Sequence, residues 1–344
     1  MAQGTARLLK ANALSLPIAD NTVDLIVTSP PYFALWSYQD GVEHYDGQLG
    51  AEATPKEFID ALIMATSEMV RVLKPSGSIF VNLGDKYAGS NGQSGGTGEL
   101  SKVHGVGASG NQPKELRRGY VPKTSVRSKS LMGIPWRYAL RCIDDLGLIL
   151  RAEIIWAKTN GMPESVMDRV TRKHEQWFHF VKSEAYYSNI DAIRIPLAAK
   201  SHALGNKKNN PYRHDVNTTT RIWGDDLLGK MPGSWWAIPT QPLQVPEDLG
   251  VEHFAAFPTE WPRRLILGWS PPAAVVLDPF GGTGTTAAVA KALGRTGISV
   301  DLSADYLRLA GWRCNGDGYS TIYSKVHGTK PVAKQIKGQG GLAI

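Results

Sequence analysis

The chain has 344 residues, and its 38 basic and 31 acidic side chains leave a formal net charge of +7. With 42% hydrophobic and 20% charged residues it has the composition of a globular protein, long enough for about two domains or one large α/β domain with insertions. Two cysteines exclude a disulfide framework and a four-cysteine metal site, the first residues do not match a secretory signal, and no apolar run is long enough to span a membrane.

The first predicted elements form a β-α-β unit. The apolar, β-branched run Val23–Thr28 predicts a buried parallel strand. A helix is predicted over residues 54–73, because the sequence Thr-Pro-Lys-Glu at its start has the spacing of a capping box. A Pro-Ser-Gly turn then leads into a second buried strand over residues 78–83.

Two irregular segments interrupt the pattern. Residues 86–128 are first rich in Gly and Ser and then strongly basic, which is typical of a functional or mobile loop in an α/β domain. A helix over 136–146 and strands over 149–156 and 177–181 follow. Residues 197–236 are largely polar, with basic and aromatic side chains interleaved.

Regular α/β structure returns in the last third of the chain. The sequence predicts a helix over 261–268, a strand over 274–277, a helix over 285–293 and a strand over 297–300. From about residue 320 the chain has four lysines and no acid, which predicts a frayed basic tail, with a phosphate-binding role as the alternative.

The sequence V-L-D-P-F-G-G-T-G-T-T at 276–286 predicts a ligand crevice. A buried strand ends at Asp278, and a Gly-rich turn leads directly into a helix, which is the geometry of ligand sites in open α/β sheets. Asp301 follows Gly284 by 17 residues, close to the spacing of a ribose-binding acid. The alternative is a tight turn without a ligand. The absence of a Lys after the last Gly excludes a phosphate P-loop.

The sequence T-S-P-P-Y at 28–32 predicts a second site at the end of the first strand. Two prolines fix the backbone and present the Ser29 hydroxyl, the Pro30 carbonyl and the Tyr32 ring together. A hydroxyl and a carbonyl accept hydrogen bonds from an exocyclic amino group, and an aromatic ring stacks on a planar base. A Pro-rich turn with a packed tyrosine is the alternative.

These motifs resemble those of the amino-methylating DNA methyltransferases that use S-adenosylmethionine, in the beta arrangement, where the catalytic motif precedes the cofactor motif. V-T-S-P-P-Y at 27–32 is similar to the catalytic motif in the form typical of cytosine-N4 enzymes, and D-P-F-G-G-T-G at 278–284 is similar to the cofactor motif. Segments similar to bacterial and phage members lie at 151–158, 162–169, 174–180 and 238–242, and 253–258 is similar to the motif just before the cofactor strand. Within residues 8–313, only 86–128 and 197–232 fall outside the resemblance.

The resemblance implies a Rossmann-like methyltransferase of the α/β class, with a mostly parallel, doubly wound sheet, permuted motif order and inserted DNA-recognition loops. Residues 1–196 would form the catalytic part, with the mobile basic loop 86–128, and residues 237–319 the cofactor-binding part. Residues 197–236 would be the target-recognition insert, and residues 320–344 the basic tail.

The resemblance also implies roles for individual residues. The catalytic motif corresponds to Ser29, Pro30, Pro31 and Tyr32. The cofactor contacts correspond to Asn12, His253, Phe254, Phe257, Asp278, Phe280, Gly282, Gly284, Thr285 and Asp301. Among them Asp301 would bind the ribose hydroxyls, and Asn12 would lie near the adenine where the family often has Asp. No metal is expected.

The irregular segments are the expected contacts for double-stranded DNA, and solvated surface loops are the alternative. Arg117, Arg118 and Lys123 would bind phosphates, and Arg213 and Arg221 would read the target sequence. The net positive charge favours a polyanionic partner, although many basic proteins bind none. Four tryptophans, Trp156, Trp177, Trp235 and Trp236, are expected to pack in the core or at the cofactor edge.

The resulting hypothesis is site-specific methylation of cytosine N4 in DNA after base flipping, with adenine N6 as the main alternative. An RNA or protein-glutamine methyltransferase and a non-catalytic DNA-binding module are further alternatives. Neither cysteine follows a proline, as a cytosine-C5 enzyme requires, and the zinc deaminase motifs are missing. A cytoplasmic location is expected, and the sequence decides neither whether the protein is a homodimer nor whether it has a cognate restriction nuclease.

Overall fold

The computed structural model describes residues 4–33, 48–88, 126–161, 163–195, 229–243, 245–246, 249–251 and 256–328, and the backbone of 39–40 and 43–44. The strands are β1 (Thr5–Lys10), β2 (Val23–Thr28), β3 (Gln39–Asp40), β4 (Glu43–His44), β5 (Leu73–Leu83), β6 (Ile149–Ala157), β7 (His174–Val181), β8 (Trp235–Ala237), β9 (Val275–Asp278) and β10 (Thr296–Asp301). The helices are α1 (Pro55–Val72), α2 (Ile134–Asp144), α3 (Glu260–Trp269), α4 (Thr285–Ala292), α5 (Ala304–Asn315) and α6 (Tyr319–His327), with a 3-10 turn at Ile190–Ile193.

Eight strands form one sheet in the order β1-β10-β9-β2-β5-β7-β6-β8, and β3 and β4 form a separate antiparallel pair. The first five strands of this sheet (β1, β10, β9, β2 and β5) run parallel to one another. Strand β7 is antiparallel to both of its neighbours, and β8 is parallel to β6. The predicted mostly parallel sheet with permuted order is therefore confirmed. The strand order reverses between β9 and β2, and ligands of open α/β sheets bind at such a reversal.

Helices cover both faces of the sheet. Helices α1 and α2 pack on one face, where Phe58, Leu62 and Met69 are buried among strand residues. Helices α3, α4 and α6 pack on the other face, around Trp261 and Leu265. The apolar strands β2 and β9 contribute to both clusters, as expected for central strands of a doubly wound sheet.

Helix α1 begins as its sequence predicts. Thr54 is the N-cap, its hydroxyl accepts from the backbone N–H of Glu57 at 3.2 Å, and the Glu57 carboxylate accepts from the Thr54 N–H at 3.0 Å. The predicted turn before β5 differs from the structure. Strand β5 starts directly after α1, and residues 74–77 form a bulge, since Leu73 lies opposite Val23 and Ser78 opposite Leu25.

Helix α2 begins two residues earlier than the predicted helix over 136–146 and ends two residues earlier. The earlier start has a physical reason, which is a cap from outside the helix. The Asp85 carboxylate accepts from the backbone N–H groups of Gly133 at 3.0 Å and Ile134 at 3.2 Å. A cap supplied by a residue 48 positions away leaves no local signal in the sequence.

The predicted tail from residue 320 is wrong for its first part. Residues Tyr319–His327 form helix α6, whose Ile322 and Val326 are buried against the second core cluster. The helix ends at Gly328, which has a φ of +67°. A basic tail can therefore begin only at residue 329, and residues 329–344 lie outside the described part of the chain.

The end of the predicted recognition insert also belongs to the sheet. Strand β8 pairs with β6, with Trp236 opposite Trp156, and these two side chains and Trp177 are buried as expected. Trp235 is 65% exposed, so its predicted packing is wrong. In the chain as far as it is described, no helix has the length and apolar character needed to cross a membrane.

Replacing Ile322 tests whether α6 is part of the folded domain. Because this side chain is buried, Ile322→Ala should lower the free energy of unfolding by about 2 to 5 kcal/mol. Thr321→Ala, at the exposed neighbouring position, should change it by less than about 0.5 kcal/mol. Urea unfolding of the three proteins measures both values, and equal stability of the two variants would contradict a packed α6.

Candidate active site

The carboxylate of Asp278 joins the two strands at the reversal of strand order. It is 1% exposed at the end of β9. Its Oδ1 accepts from the Thr28 hydroxyl at the end of β2 at 2.6 Å and from the Phe280 N–H at 3.2 Å, and its Oδ2 accepts from the Thr286 hydroxyl at 2.9 Å. One side chain thus fixes the end of β2, the Gly-rich turn and the start of α4 relative to one another.

This carboxylate is an unusually costly group to bury. Desolvation raises the pKa of Asp278 to about 6, although hydrogen bonds from Thr28, Thr286 and Phe280 act in the opposite direction. Because Asp278 is buried and its oxygens accept from three donors of the protein, whereas Asp301 is only partly buried, Asp278 acts here by positioning the two motifs.

The Gly-rich turn lies between β9 and α4 and is anchored to β10. The Gly281 N–H donates to the carbonyl of Val300 at 2.9 Å, and the Gly282 N–H donates to Asp301 Oδ2 at 2.8 Å. Gly284 has a φ of +73°, and a Cβ there would lie 2.8 Å from the Cβ of Ala310. The turn therefore requires glycine at this position both for its backbone conformation and for its packing against α5.

Asp301 lies where the sequence predicts, at the end of β10 beside the Gly-rich turn. Its Oδ1 accepts from the Ser303 N–H at 2.9 Å, while Oδ2 accepts from Gly282. The neighbouring strand β1 ends opposite it, because Lys10 pairs with Asp301. Asn12 follows directly, with its side-chain oxygen accepting from the Leu14 N–H at 2.9 Å.

A buried arginine supports the Gly-rich turn, and the sequence analysis did not identify it. Arg313 of α5 donates from Nη1 to the Thr283 carbonyl at 2.9 Å, to the Thr285 hydroxyl at 2.8 Å and to the Thr283 hydroxyl. Burial lowers the pKa of the guanidinium to about 10, so that it remains a cation at neutral pH. The helical spacing of α5 could have suggested that Arg313 faces inward, but nothing in the sequence names its partner.

The second predicted motif lies at the end of β2, beside β5. The Ser29 hydroxyl donates to Asn82 Oδ1 at 3.3 Å, and the Tyr32 hydroxyl donates toward the same atom at 2.9 Å. Asn82 is 1% exposed, and its Nδ2 donates to the Gln176 carbonyl at 3.1 Å. That bond fixes which end of the amide faces the motif. Asn82 is a second residue that the sequence analysis did not identify, although a polar residue in an otherwise apolar strand is a signal for one.

The other predicted residues fall into two groups. Phe280 and Phe257 are partly buried, and the Phe257 ring packs edge-on against Trp177 with centroids 5.7 Å apart. Pro30 and Pro31 form the turn between Ser29 and Tyr32. The remaining predicted cofactor and DNA contacts lie outside the described residues: His253, Phe254, Arg117, Arg118, Lys123, Arg213 and Arg221.

The site therefore brings together two groups of residues at one edge of the sheet. The Gly-rich turn with Asp301 has the features of a nucleoside-binding crevice, and the Ser29 turn presents acceptors and an aromatic ring beside it. No group of three His, Cys, Asp or Glu side chains suited to a metal ion occurs among the residues that the structure describes. Fold and site together define a Rossmann-like α/β protein with a ligand crevice where the strand order reverses.

The comparisons with known proteins identify the family within this class. A family model described as DNA methylase, for N6 and N4 methyltransferases, matches residues 23–311. Type II methyltransferase M.Cfr9I from Citrobacter freundii is 32% identical over 319 residues, covering 92% of this chain and 90% of that protein. Type II methyltransferase M.SmaI from Serratia marcescens is 34% identical over 289 residues, covering 83% and 82%. The chain belongs to the DNA methylase family and is a DNA methyltransferase.

Solved structures agree with this assignment at the level of the fold. The PvuII DNA methyltransferase, described as cytosine-N4-specific, has a TM-score of 0.59 and 18% identity and covers 96% of this chain and 95% of its own. A putative DNA modification methylase from Thermus thermophilus, complexed with S-adenosyl-L-methionine, has a TM-score of 0.53 and 21% identity and covers 93% and 94%.

The raised pKa of Asp278 predicts how stability depends on pH. Between its ordinary value of 3.8 and about 6, the folded protein binds more protons at this site than the unfolded chain, so the contribution of Asp278 to the free energy of unfolding falls as pH rises through this window. In Asp278→Asn this dependence is absent. The stability of the variant relative to the parent should therefore increase by roughly 3 kcal/mol across the window. Urea unfolding of parent and variant at several pH values measures this difference in the free energy of unfolding. A difference that stays constant across the window would contradict the raised pKa of Asp278.

Proposed function

We propose that this DNA methyltransferase transfers the methyl group of S-adenosylmethionine to the exocyclic N4 of a cytosine flipped out of duplex DNA. The observation on which the proposal rests is the contact between Ser29 and Asn82. The Ser29 hydroxyl donates its hydrogen bond to Asn82 Oδ1, so the lone pairs of Ser29 Oγ can accept a hydrogen bond from another donor. An exocyclic amino group is such a donor.

The chemistry that this arrangement supports is activation by positioning. The cytosine amino nitrogen is a poor nucleophile, since its lone pair is delocalised into the ring. Hydrogen bonds from the amino group to Ser29 Oγ and the Pro30 carbonyl would localise that lone pair, so that the nitrogen is placed to attack the methyl group in line. The N–C bond would form as the sulfonium S–C bond breaks, S-adenosylhomocysteine would leave, and the excess amino proton would pass to solvent. Tyr32 replaces the stacking that the base loses when it leaves the duplex.

The residues around the Gly-rich turn suit the cofactor. S-adenosylmethionine supplies a methyl group that is already activated as a sulfonium. Asp301 would accept from the ribose hydroxyls, and Gly282, Gly284 and Thr285 would lie at the methionine end. Asp278 and Arg313 hold the turn in place through hydrogen bonds with Thr286 and Thr283. Asn12, Phe280, Phe257, His253 and Phe254 complete the proposed contacts.

Adenine N6 is the second candidate, because adenine presents the same amino group to the same acceptors. Cytosine is favoured over adenine because the motif begins with Ser29, and a serine at this position is typical of cytosine-N4 enzymes.

DNA contacts are proposed at Arg117, Arg118 and Lys123 for phosphates and at Arg213 and Arg221 for base edges.

Ser29→Ala tests the target and the chemistry together. The parent enzyme should produce N4-methylcytosine in plasmid DNA, identified by mass spectrometry of the nucleosides. The variant should methylate roughly 100-fold more slowly in single turnover, because a preorganised hydrogen bond to a group that gains charge is lost. Its affinity for duplex DNA should be nearly unchanged, as measured by fluorescence anisotropy. N6-methyladenine as the product would transfer the proposal to adenine, and a parental rate would show that the catalytic motif is misplaced.

Asp301→Ala tests the cofactor site. The variant should bind S-adenosylmethionine more weakly by about 1 to 3 kcal/mol in calorimetric titration, because buried partners lose their acceptor. Asp305→Ala, on the first turn of α5 and with its carboxylate paired to Arg308, is the matched control and should bind the cofactor like the parent. Unchanged affinity of Asp301→Ala would remove this residue from the site.

A further inference from the structure

The hydroxyl of Tyr32 lies between two acceptors, Asn82 and Glu175, and the proposed chemistry uses only the first of them. Tyr32 Oη is 2.9 Å from Asn82 Oδ1 and 2.8 Å from Glu175 Oε2. A phenol has one proton to donate, so both acceptors share it. Hydrogen bonds therefore hold the hydroxyl end of the ring. The side chain of Tyr32 cannot change its rotamer as freely as an exposed tyrosine.

The antiparallel direction of β7 brings Glu175 to this point. Leu83 at the end of β5 lies opposite Gln176 near the start of β7, so Glu175 projects just beyond the end of β5. The parallel strands end at this same edge of the sheet. A parallel strand in the place of β7 would have put its last residues here.

Lys158 fixes Glu175 in turn. Its Nζ donates to Glu175 Oε1, while Oε2 accepts from Tyr32. The lysine ammonium also lies 4.6 Å from the ring centroid of buried Trp156. The Lys158 and Glu175 side chains are only 24% and 14% exposed, so their pairing is screened less by solvent than a surface ion pair.

Gly84 confines the ring from another side. A Cβ on residue 84 would lie 2.7 Å from Cε2 of Tyr32 and 3.2 Å from Cδ2. The absence of a side chain at this position is therefore what allows the ring to occupy its place. Tyr32 is attached at the hydroxyl and limited at the ring edge, before any base arrives.

We propose that Glu175, paired with Lys158, is a positioning residue that sets the orientation of the Tyr32 ring for stacking on the flipped base. This inference rests on the proposed function, in which Tyr32 provides the stacking surface. A ring that is already oriented loses less conformational freedom when the base stacks on it, and it places the amino group against Ser29 reproducibly. Glu175 does not touch the reacting atoms in this arrangement.

A double-mutant cycle between Tyr32 and Glu175 tests the proposal. Tyr32→Phe keeps the ring and removes the hydroxyl, and Glu175→Ala removes the acceptor. Each single variant should lower the single-turnover methylation rate by about tenfold, the effect expected for one hydrogen bond to a charged group. The double variant should be no slower than the slower single variant, since both changes remove the same interaction.

A second readout separates positioning from a general loss of structure. With 2-aminopurine beside the target cytosine, both single variants should show an altered fluorescence change when the cytosine flips, and their affinity for S-adenosylmethionine should remain parental. Glu175→Gln retains a hydrogen-bonding group near Tyr32 and should restore most of the rate. Glu260→Gln, which removes the same charge from a carboxylate paired with Arg264 on α3, is the matched control and should behave like the parent.

The outcomes distinguish this inference from the proposed function. If Tyr32→Ala disturbs the 2-aminopurine signal but Tyr32→Phe and Glu175→Ala do not, the ring stacks on the base without help from Glu175 and the inference is wrong. Additive losses in the double variant would also overturn it, because Glu175 would then act through another group. If Tyr32→Ala itself methylates and flips like the parent, the proposed role of the motif fails.

Gly84→Ala offers an independent test that changes no charge. The added Cβ should displace the Tyr32 ring and slow methylation by about tenfold or more, with parental cofactor affinity. In the Tyr32→Ala background the same substitution should have little further effect, because there is no ring to displace. A full effect of Gly84→Ala in both backgrounds would show that it acts through the strand instead.

Discussion

The structure depends on one buried carboxylate at the point where the sheet reverses its order. Asp278 accepts a hydrogen bond from Thr28 on one strand and from Thr286 on the helix that follows the other. These bonds reinforce the backbone pairing of β2 with β9 and the 3.3 Å contact between the Thr286 hydroxyl and the Val27 carbonyl. The cost of burying an acid, visible in its raised pKa, is the cost of fixing two motifs that are 250 residues apart in sequence.

Other polar side chains attach the remaining loops of the site to strands and helices in the same way. Asp301 and Arg313 attach the Gly-rich turn to β10 and α5. Asn82 and Glu175 attach the Ser29 turn to β5 and β7. Each loop at the site is bonded to a regular element by a buried or partly buried polar side chain. Methyl transfer from an activated donor requires mainly accurate placement, and under the proposed function these bonds would provide it.

The sequence predicts the parts of this arrangement that depend on local pattern. Strand β2, the capping box of α1 and the Gly-rich turn before α4 all have short-range signatures, and the structure contains all three. The bulge in β5 and the existence of α6 were not predicted. Their stability comes from pairing and burial against distant residues, so the local sequence has no signal for them.

The side chains that complete the site follow the same rule. Asn82 and Glu175 lie 50 and 143 positions from Tyr32, and Arg313 lies 30 positions from Thr283. Their partners become apparent only once the register of β5 with β7 and the packing of α5 are known. The positions of Asp301 and of the Ser29 turn at strand ends could be predicted from the sequence, because the strands before them have local signatures.

The arrangement of the strands also has a consequence for how the protein is made. Strand β2 pairs with β5 on one side, but on the other side with β9, which is translated long afterwards. At ordinary rates of synthesis the intervening 250 residues take roughly 10 to 50 s. During that time the nascent chain has an apolar strand with one unpaired edge, which is a target for aggregation and for chaperones. Strand β2, which leads into the Ser29 turn, is thus among the last in the sheet to be covered on the ribosome.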